Sequence, residues 1–159
     1  MKVAWVDVAQ YAHEAGFRGE DHAIVVALSE PESNRESRAH NGADPHSGSF
    51  GLLQINGVHL SGGGVCEGWM VDDLYDPVLN LVAAFRVYEA NGRSFQPWGA
   101  YTSGLHVRWL PTAKCALDGR HRWKLAEAKA AQMRAERDRI LAKHDALAEV
   151  VRRVREAVA

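Results

Sequence analysis

Residues 23–34 read AIVVALSEPESN: an unbroken apolar run, Ala23 to Leu28, that gives way to Ser29, Glu30, Pro31, Glu32, Ser33 and Asn34. Six apolar residues in succession bury on every side if helical, so this segment belongs at the centre of a core. Asp21 supplies a cap for a helix over His22 to Leu28. Pro31 ends it, because proline brings no backbone donor and disfavours helical geometry in the residue before it. Glu30 then stands at the end of a buried helix. The apolar body desolvates its carboxylate, and the negative end of the helix dipole opposes a second negative charge, so both effects favour the protonated acid. A neutral carboxylic acid near pH 6 to 7 is what protonation of a glycosidic oxygen requires.

Upstream, Val3 to Ala15 has apolar residues at 4, 8, 11, 12 and 15, the spacing of a helix with one buried face, and Gly16 is its stop. Downstream, residues 34–51 are rich in Asn, Ser, Gly, Asp, Pro and His, a composition that makes a long polar loop. A short apolar patch at Leu52 to Ile55 follows, then an irregular stretch holding Gly62, Gly63 and Gly64. Asp76-Pro77 reads as a cap and first helical position for a helix over Val78 to Ala90 that stops at Asn91-Gly92. A short helix is expected over Trp98 to Trp109, with Pro111 closing the compact part.

From about Arg120 the chain turns to Ala, Arg, Lys, Glu and Leu without Gly or Pro, a long helix by propensity. Positions 123, 126, 130, 133, 137, 140, 144, 147, 151, 154 and 158 form a four-three repeat whose later half is apolar, interrupted by Arg137 and His144. The expectation is a domain over residues 1–112, then a linker and long amphipathic helix over 113–159. That helix would dock on a partner or self-associate through residues 119–159.

The 159 residues are 47% hydrophobic and 25% charged, enough for one enzyme-sized core. The longest apolar run, six residues, falls far short of the roughly 18 to 20 that cross a bilayer, so no membrane span is expected. The first residues reach Asp7 and Glu14 before any continuous apolar stretch, so no signal peptide is read there. Residues 1–118 carry 8 Lys/Arg against 14 Asp/Glu and residues 119–159 carry 11 against 6, a net −6 in front and +5 behind. At helical spacing the basic end reads as a solvated face, and nothing supports a nucleic-acid partner. Cys66 and Cys115 lack metal-ligand spacing, and the His40–Asp44–His46 loop matches no zinc motif, so neither a metal nor a cofactor is expected. Ser47, Ser49 and Ser103 lack the order of an acyl-transfer triad.

Three segments in order, ALSEPESN at 27–34, SFGLLQIN at 49–56 and PWGAYTSG at 97–104, resemble the lysozyme-like lytic transglycosylases of the soluble type, especially those carried by phage tails. The resemblance spans roughly residues 7–110 and implies a mainly α-helical α+β lysozyme-like fold. It places the catalytic glutamate on Glu30, a Gly-Leu-x-Gln segment on Gly51 to Gln54 and an Ala-Tyr-x-x-Gly segment on Ala100 to Gly104. The family glutamate is commonly followed by serine, which makes Glu32-Ser33 the rival position. The end of the apolar run before Ser29 and the spacing to Asn34 and to Ala39-His40-Asn41 favour Glu30.

By the same resemblance, Glu30 would protonate the oxygen joining N-acetylmuramic acid to N-acetylglucosamine in peptidoglycan, and a 1,6-anhydro sugar would form without water. Gln54, Asn56, Ser49 and Tyr101 are the expected substrate contacts, amides being able both to donate and to accept. Glu32 and Asp44 are candidate second carboxylates. Glu32 would raise the first acid further, and Asp44 would hold a water for hydrolysis, as in goose-type lysozymes. Trp98 and Trp69 are expected in the core. The alternatives are that hydrolase and a non-catalytic structural or sugar-binding virion module of the same fold. The expected location is a phage virion acting at the bacterial cell wall.

Overall fold

The computed structural model describes residues 1–46 and 48–119 together with positions 128, 139 and 153. Apart from those three positions, the long helix expected from about Arg120, with all of its seam, lies outside the described residues. Contacts divide the chain into Met1–Arg120 and His121–Ala159.

The first unit is a mainly helical α+β domain. Helix α1 covers Trp5–Ala15 and ends where Gly16 turns the backbone to φ 124°. Helix α2 covers Gly19–Ser33, and α4, Pro77–Ala90, lies against α1, which also packs on α2. Between α2 and α4 run three two-residue strands, β1 His40–Asn41, β2 Ser49–Phe50 and β3 Ile55–Asn56, in one antiparallel sheet of order β1-β2-β3. A 3-10 turn at Gly57–Leu60 and the short helix α3, Val71–Tyr75, complete that side. After α4 come α5 at Gly99–Thr102, a 3-10 turn at Val107–Trp109 and helical residues 110–119.

Helix α2 is the axis of the core, with Ala23 and Val25 through Ser29 all buried, as an all-round apolar run requires. Val8, Ala9 and Ala12 of α1, Leu81, Ala84 and Val87 of α4, Leu52 and Leu53 of the β2–β3 turn and Ile55 of β3 close around it. Phe17, Phe85, Tyr88 and Phe95 form an aromatic group at one end, where the Tyr88 hydroxyl donates to Asp21 at 2.6 Å and ties the start of α2 to the end of α4. Asp76 caps α4 as read from the sequence, accepting from the N–H groups of Val78 and Leu79 at 2.9 and 3.0 Å.

Two prolines do not act as the sequence implied. Pro31 lies inside α2, which runs on to Ser33 and ends at Asn34 with φ 54°. Proline gives Ala27 no N–H, a cost confined to one rung of the ladder. The turn beyond it is held from outside: the Ser33 hydroxyl donates to Ser29 O at 3.1 Å and to Leu52 O at 2.8 Å, and the Asn34 N–H reaches Glu30 O at 2.7 Å. Pro111 opens the first turn of the helix over 110–119, where a missing N–H costs nothing, and Ala113 of that helix is wholly buried in the core. The helix expected over Trp98 to Trp109 is instead two short pieces separated by Gly104 at φ 74°.

The first residues form a strap beside the end of α2. The Val3 N–H bonds Arg35 O at 2.9 Å, the Ser37 N–H bonds Met1 O at 3.1 Å, and Lys2 donates to the Asn34 side chain at 2.5 Å. One buried amide, Asn80 of α4, organises the sheet side. It accepts from Leu53 N–H at 2.9 Å and donates to Phe50 O at 3.0 Å and Leu74 O at 2.8 Å. Gly51 sits against it so closely that a Cβ there would lie 2.2 Å from both Asn80 Nδ2 and Leu74 O. Cys66 is buried and Cys115 exposed, both as free thiols.

Candidate active site

A helix turns about 100° per residue, so side chains two positions apart leave it on opposite sides. Glu30 and Glu32 therefore face different surroundings. Glu30 points to the N-terminal strap, where its carboxylate takes the Arg35 guanidinium at 2.6 Å and lies 3.8 Å from Lys2 Nζ. Arg35 also donates to Val3 O at 2.7 Å and covers the Trp5 ring at 4.5 Å. Glu30 pairs with Arg35 and Lys2 and is not among the residues that line the cleft at Glu32. Pro31 does not end α2, so the helix carries Glu32 in its last turn and on the other face.

Glu32 accepts from the Ala100 N–H at 3.2 Å, at the start of α5. Burial pushes its carboxyl above the ordinary glutamate value; the Ala100 N–H works against this, and the charge of Asp44 adds to it. Its place in the last turn of α2 puts it at the negative end of that helix, which acts in the same sense. The carboxylate whose charge adds to this is that of Asp44, on the polar loop.

Glu32 and Asp44 line one open cleft of about 230 Å³, together with Gln54, Asn56, His59 and Trp98. Asp44 accepts from the Asn41 side chain at 3.0 Å, so it shapes its own loop while facing the cavity. Gln54 stands at φ 45° in the β2–β3 turn, and its amide nitrogen donates to Gly51 O at 2.9 Å. What Gln54 offers a ligand is its carbonyl oxygen. Both ends of the Asn56 amide serve the protein: the oxygen caps the 3-10 turn through Val58 N–H at 3.0 Å, and the nitrogen reaches Pro45 O at 3.0 Å and Ser49 Oγ at 3.3 Å. Ser49 is buried beneath it and also lines the cleft.

Tyr101 does not line this cleft. Its ring stacks on His106 at 4.9 Å and meets Phe95 at 5.6 Å, so its contribution is to hold α5, whose Ala100 N–H touches Glu32. Trp98 is buried, its indole N–H donating to Leu53 O at 2.9 Å, while Trp69 is half-buried under Arg86 at 4.7 Å. Among the described residues no group of three or more His, Cys, Asp or Glu side chains converges as a metal site would need.

His59 and the Ala100 amide are site groups that the sequence reading missed. Burial pushes the His59 imidazole below its usual value at the cleft wall. A single histidine in a glycine-rich stretch gives no pattern that marks it. Glu32, the rival position marked in the sequence by the serine that follows it, lines the cleft.

A family model described as a lysozyme-like domain matches residues 9–100, a span that runs from α1 through Glu32, the cleft and Ala100. No curated protein and no solved structure matches the chain.

Proposed function

The chain belongs to the lysozyme-like domain family, whose members act on the glycan of peptidoglycan, and from that premise we propose that this protein is a lytic transglycosylase with Glu32 as its single catalytic acid. The observation that carries the reading is a carboxyl group held toward its protonated form by burial, in a cleft, beside a backbone N–H. Glu32 donates its proton to the oxygen between N-acetylmuramic acid and N-acetylglucosamine as the bond from C1 to that oxygen breaks. The muramyl acetamido group stabilises the positive charge at C1. The carboxylate left on Glu32 then takes the proton of the sugar's own 6-hydroxyl, whose oxygen closes on C1. A 1,6-anhydro end results, and Glu32 is restored as the acid.

Asp44 favours a second reading, hydrolysis of the goose-lysozyme kind. It lines the same cleft and its charge reaches Glu32, so it is placed to hold a water against C1. The product then gains one water and ends in a reducing sugar. Clearing of purified cell walls by wild type, Glu32→Gln and Glu30→Gln tests the acid: Glu30→Gln clears and Glu32→Gln does not. The opposite result returns the role to Glu30, and loss of clearing in the wild type as well points to a binding module. Mass spectrometry of the released fragments separates the anhydro from the hydrated end. Docking through residues 119–159 within a phage virion, with action at the bacterial wall, completes the proposal and rests on the resemblance to phage-borne relatives.

A further inference from the structure

Helix α5 is four residues long, a single turn, and a single turn is too short to hold itself. Its N-terminal side is fixed by Trp98, whose indole N–H reaches Leu53 O. Its C-terminal side depends on the Ala100 carbonyl. In a longer helix that carbonyl would take the N–H of Gly104, but Gly104, at φ 74°, gives its N–H to Tyr101 O at 3.0 Å. Ala100 O is met instead by His106, twice: by the backbone N–H at 3.3 Å and by ring Nδ1 at 3.2 Å. His106 is buried, and its ring lies on Tyr101. A carbonyl oxygen can only accept, so Nδ1 carries the hydrogen. Protonating the ring at Nε2 leaves that hydrogen in place, so the anchor is the same in both charge states of the imidazole.

The residue held in this way is the one that touches the acid. The Ala100 N–H donates to Glu32 Oε1 at 3.2 Å, which leaves Oε2 as the oxygen free to carry a proton toward the cleft. The groups around Glu32 come from three directions: Ala100 from α5, Asp44 from the polar loop, and His59 on the cleft wall. Glu30, with Arg35 and Lys2, leaves α2 on the other face. Burial and the charge of Asp44 favour the proton on Glu32, and the Ala100 N–H opposes them. A loosened α5 would remove that opposition and free the carboxyl group to turn.

We propose that His106 is a positioning residue for the acid: by tying the Ala100 carbonyl it keeps the Ala100 N–H on Glu32 Oε1 and so directs the other oxygen, with its proton, into the cleft. The proposal rests on the reading of Glu32 as the acid of glycan cleavage, and its test includes a measurement that needs no turnover.

Two substitutions separate the ring from its N–H. His106→Phe keeps a flat ring against Tyr101 and removes the donor; His106→Asn gives up the ring and puts an amide N–H where Nδ1 stands. For each, kcat and KM on purified cell-wall strands are followed across pH, and the carbon shift of the Glu32 side-chain carboxyl is titrated in the full chain. His106→Phe is expected to lower kcat several-fold with KM unchanged, and to move both the alkaline fall in activity and the Glu32 titration to higher pH. His106→Asn is expected to stay near wild type in all of these. A Glu32 titration unmoved in His106→Phe, or His106→Asn as impaired as His106→Phe, would overturn the proposal. Should His106→Phe not melt cooperatively, His106→Ala, which asks for no extra room, takes its place under the same criteria. Absence of cleavage by wild type defeats the activity reading, and the carboxyl titrations still decide whether His106 holds the Ala100 N–H on Glu32.

Discussion

At the scale of single residues, the chemistry turns on which side of α2 a carboxyl group leaves. Glu32 on the cleft side has lost water and gained only one N–H, whereas Glu30 has two cations within reach. Glu32→Gln is therefore expected to lower the rate of wall cleavage by about 10²- to 10⁴-fold, the usual contribution of a general acid, with little loss of fold. Glu30→Gln is expected to keep activity and lower stability by about 1.5–3 kcal/mol, the loss of a charge-assisted bond to Arg35, read as a drop in Tm. The raised carboxyl of Glu32 sets two pH dependences. Activity, which needs the proton, falls as pH rises through the raised value. The folded state holds that proton to higher pH than the unfolded chain does, so wild type loses stability relative to Glu32→Gln as pH rises from the ordinary carboxylate value to the raised one. Below that window the stability of wild type minus that of Glu32→Gln is constant, and above it the same difference is constant again at a lower value. A difference that stays level or rises through the window would contradict the burial of Glu32.

Among the elements, those with a regular apolar period were open to reading from sequence, and those set by partners were not. The one-sided spacing of α1, the all-round burial of α2 and the Asp76-Pro77 start of α4 are local properties, and the structure has all three. The last turn of α2 is not local, because Ser33 finds Leu52 O nineteen residues away and so keeps helical a segment that proline tends to break. That turn brings Glu32 to the wall of the cleft. Gln54 could be read as a site residue from the Gly-Leu-x-Gln segment; the binding of Asn56 into its own turn could not, since its partners at Pro45 and Ser49 come together only in the fold. Pro31→Ala is expected to keep wall-clearing activity, since the turn it precedes is held by Ser33 and Asn34; loss of clearing would mean that the proline itself sets the Glu32 side chain. Asn80→Ala is expected to cost at least about 1–3 kcal/mol, because the buried Leu53 N–H and two carbonyls lose their partner, and to weaken substrate binding through Gln54. Urea titration and KM against kcat separate the two effects.

For the molecule as a whole, the family match at residues 9–100 and the contact boundary after Arg120 place the cleft and its supports within the first unit. The helix over 110–119 belongs to that unit, with Ala113 fully buried, so its proline marks a beginning where the sequence reading had an end. A chain of residues 1–120 is expected to fold and to clear purified walls in solution at the rate of the full protein. Poor folding of the shortened chain would make residues 121–159 part of the core rather than a docking arm.

Asn80 and Ser33 between them bind the strand turn, α3 and the end of α2, and the loop from His59 to Gly68 closes on its own backbone while Cys66 anchors it in the core. Through Cys66, buried in the core, and His59 on the cleft wall, that loop shares a foundation with Glu32. Exchanging it for one of different length is therefore expected to unsettle the core as well as the cleft, and to show as a fall in Tm.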